Sequence, residues 1–225
     1  MRKHLVVLAV LLSGALALQA QDCTFYFPVK KGTITEVKSY NGKDKLTGSS
    51  KSKVLEQSAD KIKFSSEVFD EKGKSLSTGE YEVQCKNGEY VIDMNSFLKG
   101  VDKNAYKDMD VKIEASEMTI PAKLTVGQKL NDGQINMKIS NQIMTIMNMT
   151  VKILNRQVVS FEDITTPAGT FKCAKITYDV ETKLMGTTRT KVTEWLSEKV
   201  GMVRSETYDQ KGKLAGYSVL ASISQ

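Results

Sequence analysis

The amino-acid sequence predicts a mostly β protein with one or two short helices. Runs in which apolar and polar residues alternate recur along most of the chain, and this period of two is typical of strands with one buried face. Turn residues such as Asn87-Gly88 and Lys72-Gly73 separate the runs. No linker rich in Pro, Gly or Ser divides the chain, so one continuous domain is expected.

The first twenty residues have the pattern of a secretory signal peptide. Met1 to His4 is a basic start, Leu5 to Leu12 is unbroken apolar sequence, and a segment of small residues then ends on Ala20. We therefore expect residues 1–20 to be cleaved. Residues 21–225 would then form a single β-rich domain that is periplasmic or secreted.

The composition of this domain argues against several classes of chemistry. The only histidine of the chain, His4, lies in the predicted signal peptide, which removes His-based catalytic triads and a common zinc ligand. Charges of both signs are spread evenly, so the sequence pI of about 9.0 does not indicate a nucleic-acid-binding surface. No later apolar run approaches the ~20 residues of a membrane helix. We expect no enzyme activity, no cofactor, no metal, no nucleic acid and no integral membrane segment after cleavage.

Three cysteines remain after cleavage, namely Cys23, Cys85 and Cys173. Export to an oxidising compartment favours one disulfide, and the odd count leaves one thiol over. All three pairings are open on spacing alone. We favour a disulfide between Cys23 and Cys85, because it would tie the N-terminus to a strand, and we expect Cys173 to be a small apolar core residue.

Eleven segments are predicted as strands from alternation or from enrichment in β-branched residues. One helix is predicted at 95–107, where four apolar side chains share one side. In chain order the predicted strands are Thr33–Tyr40, Lys61–Asp70, Glu80–Cys85, Glu89–Met94, Val111–Ile120, Ile135–Ile153, Gln157–Ile164, Thr170–Leu184, Thr187–Trp195, Gly201–Tyr208 and Gly216–Ile223.

One turn sequence recurs in the chain. Phe69-Asp70-Glu71-Lys72-Gly73-Lys74 is repeated at Tyr208–Lys213, and Tyr40–Lys43 is a degenerate copy. We expect the aromatic residue to end a strand, Asp to accept turn hydrogen bonds and Gly to take the left-handed conformation. The repeat therefore predicts a hairpin reused for folding and not a binding motif.

The segment Ile135–Ile153 is unusually rich in methionine. Alternate positions place apolar side chains on one face, and the length suggests two strands or one long bent strand, with Ser140-Asn141-Gln142 as the expected bend. Such a face is either plain core or the wall of a ligand pocket. Met suits a pocket wall that adapts to its ligand, because its side chain is flexible and polarizable. Both interpretations need the same alternation, so the pattern does not choose between them. On the second interpretation, the ligand-binding residues are Met137, Ile139, Ile143, Met147 and Met149.

Short turn-and-strand motifs are spread over most of the domain. They are Ile120-Pro121, Leu124–Gln128, Thr166–Cys173, Glu194-Trp195-Leu196 and Val200–Arg204. Together they resemble a family of exported bacterial proteins of unknown function, sometimes labelled TapB-like. The resemblance implies a strongly curved antiparallel sheet that forms an incomplete barrel, similar at the level of the fold to the periplasmic lipoprotein carriers, which hold acyl chains on a concave apolar face. It implies no catalytic residues.

Three functions fit these observations. The first is a non-enzymatic periplasmic binding protein that holds a lipid or other apolar ligand on the concave face of the sheet. The second is a structural or protein-interaction module of the cell envelope, in which core side chains fill that face and a sheet edge recruits an envelope protein. The third, ranked last, is a glycan hydrolase that uses carboxylates alone.

Overall fold

The fold is one antiparallel sheet of thirteen strands, seen in a computed structural model that describes residues 26–58, 60–92 and 109–225. These residues contain no helix, and the predicted helix at 95–107, the signal peptide and Cys23 lie outside them. The strands are β1 (Ile34–Asn41), β2 (Leu46–Gln57), β3 (Lys61–Asp70), β4 (Ser75–Lys86), β5 (Glu89–Ile92), β6 (Asp110–Ala115), β7 (Met118–Pro121), β8 (Gly133–Ser140), β9 (Thr145–Thr166), β10 (Gly169–Lys183), β11 (Thr187–Ser197), β12 (Gly201–Tyr208) and β13 (Leu214–Ser224).

The predicted strands agree well with the observed ones, with three differences. Lys61–Asp70 and Gly201–Tyr208 are confirmed to the residue as β3 and β12. The predicted strand 111–120 is interrupted at Ser116-Glu117 and becomes β6 and β7, while 157–164 is the continuation of β9. Strand β2 was not predicted. The bend expected at 140–142 overlaps the observed turn at 141–144, which separates β8 from β9.

The order of the strands brings the middle of the chain to both edges of the sheet. The order is β6-β8-β9-β10-β11-β12-β13-β1-β2-β3-β4-β5-β7, so β1 pairs with β13 in the interior of the sheet. Strands β6 and β7 form opposite edges, yet only two residues connect them. The sheet must therefore bend round until its edges approach each other, although its ladder of strand pairs does not close.

A single core cluster also shows that the two halves of the sheet face each other. It contains residues of β2 to β5 and β7 together with residues of β9 to β11. We call the face that carries this cluster the inner face. Its largest fully buried side chains include Tyr90, Phe64, Ile62 and Ile176. Burial of such side chains stabilises the fold by about 1.5–3 kcal/mol each.

Side chains, and not a strand pair, join the two edges of the sheet. Asn131 precedes β8, and its amide behaves like a peptide group of a neighbouring strand. Its Oδ1 accepts from the backbone N–H of Thr119 in β7 at 2.9 Å, and its Nδ2 donates to the carbonyl oxygen of Glu117 at 3.1 Å. The buried Arg156 of β9 donates through Nη1 to the carbonyl oxygens of Thr119 at 3.2 Å and Asn131 at 2.9 Å. These bonds satisfy backbone groups of the edge strand β7.

The repeated turn has the predicted structure. Asp70 Oδ1 accepts from the backbone N–H groups of residues 72 and 74 at 2.9 and 2.8 Å, and Asp209 Oδ1 accepts from the equivalent two groups at 2.9 Å each. Gly73 and Gly212 have φ angles of 82° and 75°. In the degenerate copy Asn41 is the acceptor, and Asp44 takes the left-handed position with φ of 59°.

The antiparallel order sorts the turns between two ends of the sheet. The distal rim, as we call it, consists of the turns at 42–45, 71–74, 141–144, 184–186 and 209–213. The proximal rim, at the opposite end, contains the turns at 87–88, 167–168 and 198–200. The Asn87-Gly88 hairpin predicted from the sequence is confirmed, because both residues have positive φ angles between β4 and β5.

Candidate functional site

The hairpin of β8 and β9 brings together four of the five predicted ligand-binding residues. Met137 pairs with Met149, and Ile139 pairs with Met147. On the other side of β8, the edge strand β6 adds two more apolar residues. We call this set the methionine ladder, and it consists of Val111, Ile113, Met137, Ile139, Met147 and Met149. Ile139 is buried and the other five are partly exposed, so the ladder is an incompletely covered apolar surface.

Ile143 does not belong to this surface. It lies in the turn between β8 and β9 and is 90% exposed. The turn forms because Asn141 Oδ1 accepts from the backbone N–H groups of Ile143 at 2.9 Å and Met144 at 2.8 Å. A strand would have continued the alternation, but this local bonding of Asn ends it. The role of the other four residues as ligand contacts stays a prediction.

A separate cavity lies at the proximal rim, where sequence analysis placed no site. Its volume is about 610 Å³. We call it the proximal pocket. It is lined by Tyr26, Phe161, Thr170, Phe171, Lys172, Ala174, Ser197 and Glu198. Its size is in the range that holds small organic ligands in proteins.

A bulge in β9 directs Phe161 into the proximal pocket. Val158 pairs with Ile176 of β10, but Ser160 already pairs with the preceding residue of β10, so Val159 is an extra residue. A bulge shifts the alternation by one, and the side chain that follows is re-aimed. Phe161 therefore shares a face with its partner Ala174, which belongs to the core cluster. Phe161 remains 41% exposed, which makes it the apolar wall that a ligand would cover.

The proximal pocket also has polar groups. Lys172 and Glu198 are exposed, whereas Ser197 and Tyr26 are buried. Burial, and to a lesser extent the charge of Glu198, raise the pKa of Tyr26 to about 12, so the phenol is neutral at physiological pH. An apolar wall beside one cation and one anion suits an amphipathic molecule.

A set of buried and half-buried polar side chains on the inner face was also missed. Arg156 is buried, and loss of water lowers its pKa while Glu194, the first of its charged neighbours, opposes that change. Burial raises the pKa of Glu194, and Arg156 counteracts the rise. Burial likewise raises the pKa of Tyr178. The sequence did contain a signal for this set. Arg156 lies two residues before Val158, so alternation places its charge on the same face as an apolar side chain.

The outer face carries a second polar cluster, around Trp195. The indole Nε1 donates to Glu162 Oε1 at 2.5 Å, and Lys175 Nζ lies 3.3 Å from the same oxygen and 5.2 Å from the indole ring centre. The hydrogen bond from Trp195 lowers the pKa of Glu162, with Lys175 acting in the same direction. Trp195 packs with Cys173 and Val203, which gives it a structural role.

The two described cysteines, Cys173 and Cys85, differ in their chemical state. Cys173 is a buried free thiol, and burial raises its pKa to about 11. Cys85 is a disulfide cysteine, but its predicted partner Cys23 lies outside the described residues, so that pairing stays a prediction. Across 26–58, 60–92 and 109–225, no three His, Cys, Asp or Glu side chains are grouped to hold a metal ion. The same residues contain no helix that could cross a membrane.

Comparison with known proteins identifies the family and the fold. No curated protein matches the chain. A solved structure from Bacteroides fragilis, named as an exported protein with a YmcC-like fold, is 25% identical, with 90% of this chain and 100% of that chain covered and a TM-score of 0.74. Another from Parabacteroides distasonis, named as a lipoprotein, is 27% identical with the same coverage and TM-score.

These likenesses agree with the predicted export, and the protein is periplasmic or secreted. The narrower TapB-like label is not among the matches and stays a resemblance. The DUF3108-like family model matches residues 30–220, which is most of the sheet. The chain therefore belongs to the DUF3108-like family.

Proposed function

We propose that this exported protein is a non-enzymatic binding protein that holds an amphipathic lipid or a similar apolar molecule in the proximal pocket. The observation that carries the proposal is the exposure of Phe161 beside a cavity of about 610 Å³. Leaving a phenylalanine ring partly in water forgoes burial energy that a bound ligand would recover. A bulge in β9 places the ring there, and bulges are often found where a side chain is directed to a site.

The polar groups of the pocket indicate which part of the ligand goes where. The apolar part would lie on Phe161 and Ala174, and the head group would meet Lys172 and Glu198 at the rim. A free carboxylate or phosphate would favour Lys172, while Glu198 would disfavour a second negative charge nearby. The ligand class that fits is therefore a monoanionic or zwitterionic amphiphile, such as a fatty acid.

The test is a titration of the protein with a fluorescent fatty acid, combined with native mass spectrometry of protein purified from the periplasm. Thr170→Trp would fill the cavity from its exposed rim and should weaken binding at least tenfold. Phe161→Ala should weaken it by a factor of about ten, since roughly 1–2 kcal/mol of apolar contact is lost. Leu76→Ala, which truncates an exposed apolar side chain of β4 outside the pocket lining, is the control and should change the affinity less than twofold.

A further variant distinguishes the proximal pocket from the methionine ladder as the binding site. Met149→Ala removes a member of the methionine ladder and should leave the affinity unchanged if the proximal pocket is the site. Loss of binding in Met149→Ala with no effect of Phe161→Ala would move the site to the ladder. Absence of any bound lipid and of any titratable binding would favour the alternative, an interaction module of the cell envelope.

A further inference from the structure

The distal rim bears an unusual concentration of exposed apolar side chains. Of the twelve large hydrophobic residues exposed in the described part of the chain, six lie on the tips of two neighbouring hairpins or directly beside them. Ile143 is 90% exposed and Met185 is 100% exposed. Apolar patches of this kind mark contact sites for membranes or proteins. The six residues are Met109, Ile143, Met144, Ile146, Leu184 and Met185.

The strand register shows that these residues form one projecting surface. Lys183, the last residue of β10, pairs with Thr150, five residues from Thr145 at the start of β9. At about 3.3 Å per residue, the β8–β9 hairpin extends about 16 Å past the end of β10. Its turn carries Ile143, whereas Met185 lies in the adjacent turn nearer the body of the sheet. Both hairpin tips thus carry exposed apolar side chains at the distal rim, and the β8–β9 tip extends further from the sheet than the β10–β11 tip.

The charges around the tips are those that favour an anionic surface. Residues 133–161 contain no Asp or Glu but include Lys138, Lys152 and the buried Arg156. Residues 182–193 are also free of acids. Asp110 is an acid that lies beside the tips, and Lys112 Nζ lies 3.6 Å from its carboxylate. Lysine side chains near an anionic bilayer contribute about 1 kcal/mol each to binding.

The repeated turns extend this basic surface along the same rim. Six exposed lysines lie in the turns at 42–45, 71–74 and 209–213, against three acids in these turns and Asp70 at the margin of one of them. Two of those acids, Asp70 and Asp209, accept hydrogen bonds from the backbone of their own turns. The lysines are Lys43, Lys45, Lys72, Lys74, Lys211 and Lys213.

We propose that the tips of the β8–β9 and β10–β11 hairpins dock on an anionic phospholipid bilayer, with their apolar side chains inserted and the lysines at the head groups. Interfacial binding of this kind depends on inserted apolar area together with electrostatic attraction to anionic lipid. The proximal pocket lies at the opposite end of the sheet, so this docking does not rest on the proposed ligand.

Co-sedimentation with vesicles tests the docking. The full exported protein should bind vesicles of phosphatidylethanolamine and phosphatidylglycerol more tightly than vesicles of phosphatidylcholine, and added salt should weaken that binding. The double variant I143N/M185S should lower the partition coefficient about tenfold or more, because both side chains insert. V126N/V159S changes two exposed residues away from the tips and should stay within twofold.

A spectroscopic variant reports insertion directly. Brominated lipids should quench the emission of M185W beyond the quenching seen in the wild type, whose only tryptophan, Trp195, is buried. Equal binding of I143N/M185S and wild type would overturn the proposal, as would wild type that shows no preference for anionic vesicles. Self-association that the tip variant abolishes, without any vesicle binding, would also overturn it and make the tips a contact between copies.

Discussion

The guanidinium of Arg156 donates to the carbonyl oxygen of Thr119 across 3.2 Å and so connects the third strand from one edge of the sheet to the strand at the other edge. No pair of strands makes this connection. The near-closure of the sheet therefore depends on a few side chains, and the stability of the protein should be sensitive to them.

Arg156→Met should lower the free energy of unfolding by about 2–3 kcal/mol, because two part-buried carbonyl groups lose a donor and Glu194 loses its nearby cation. Urea denaturation at neutral pH measures the change. Arg189→Met is the control, since Arg189 is exposed and pairs with Glu181 on the surface, and it should cost less than about 0.5 kcal/mol. A loss below about 1 kcal/mol for Arg156→Met would mean that the edges are held by other contacts.

Gly133→Ala should also weaken the junction of the edges. A Cβ at Gly133 would lie 2.7 Å from both Cγ and Sδ of Met118 on β7. Overpacking of this kind costs about 1–3 kcal/mol. Met118→Ala removes the clashing atoms, so the double variant should be more stable than the sum of the two single changes predicts. Additive effects in this cycle would contradict the close packing of the two residues.

The repeated turns should contribute separately to stability. Asp70→Ala and Asp209→Ala each remove the acceptor of two backbone hydrogen bonds, and each should cost about 1 kcal/mol. The two losses should add in the double variant, because the turns do not share partners. Glu71→Ala changes an exposed carboxylate of the same turn and should be nearly neutral. An equal loss in Glu71→Ala would attribute the effect to charge instead of hydrogen bonding.

Alkaline pH should destabilise the protein through Cys173. Its pKa in the folded protein is raised from 9.0 to about 11, so the unfolded chain releases the proton first. The neutral thiol contributes its full stabilisation below pH 9, and this contribution is lost as the pH rises from about 9 to 11. The total loss of unfolding free energy is about 2–3 kcal/mol. Unfolding free energies of wild type and Cys173→Ala should therefore shift relative to each other by that amount over this range. A constant difference would contradict the raised pKa.

Thiol labelling should distinguish the cysteines. Cys173 should react with a thiol reagent only after unfolding, because its side chain is buried. Under non-reducing denaturing conditions, one thiol per exported chain should be labelled, and peptide mapping should place it at Cys173. A linked peptide pair should contain Cys23 and Cys85. Labelling at Cys23 would contradict the predicted disulfide.

The strands that could be predicted were those whose alternation pairs apolar with polar residues. Strand β2 was missed because Leu46–Gln57 contains three Ser, two Lys and Gly48, which give it a low strand propensity. Its inward positions include Gly48, which pairs with Ser39 of β1, and Ser39 Oγ lies 2.8 Å from Ser218 Oγ of β13. Small polar residues line the inner face there, so a hydrophobic pattern could not reveal the strand. Pairing with β1 and β3 decides its structure.

In the candidate site, too, features set by neighbouring residues could be predicted, whereas features set by distant residues could not. The facing arrangement of Met137 and Met149 followed from alternation and one bend. The exposure of Phe161 did not, because a single extra residue in a long strand reverses which side chains face inward. The proximal pocket also needs Tyr26, which is far away in the sequence. Neither feature leaves a periodic signal.

The position of β13 has a consequence for biogenesis. Strand β13, Leu214–Ser224, is the last of the described strands in chain order, and it fits between β12 and β1 and not at a margin of the sheet. Strands β1 to β5 must consequently cross the export machinery and wait, with one side of β1 unpaired, until β13 arrives. A chain that lacks β13 would be split through the middle of the sheet, leaving two unpaired strand edges that could pair with other chains.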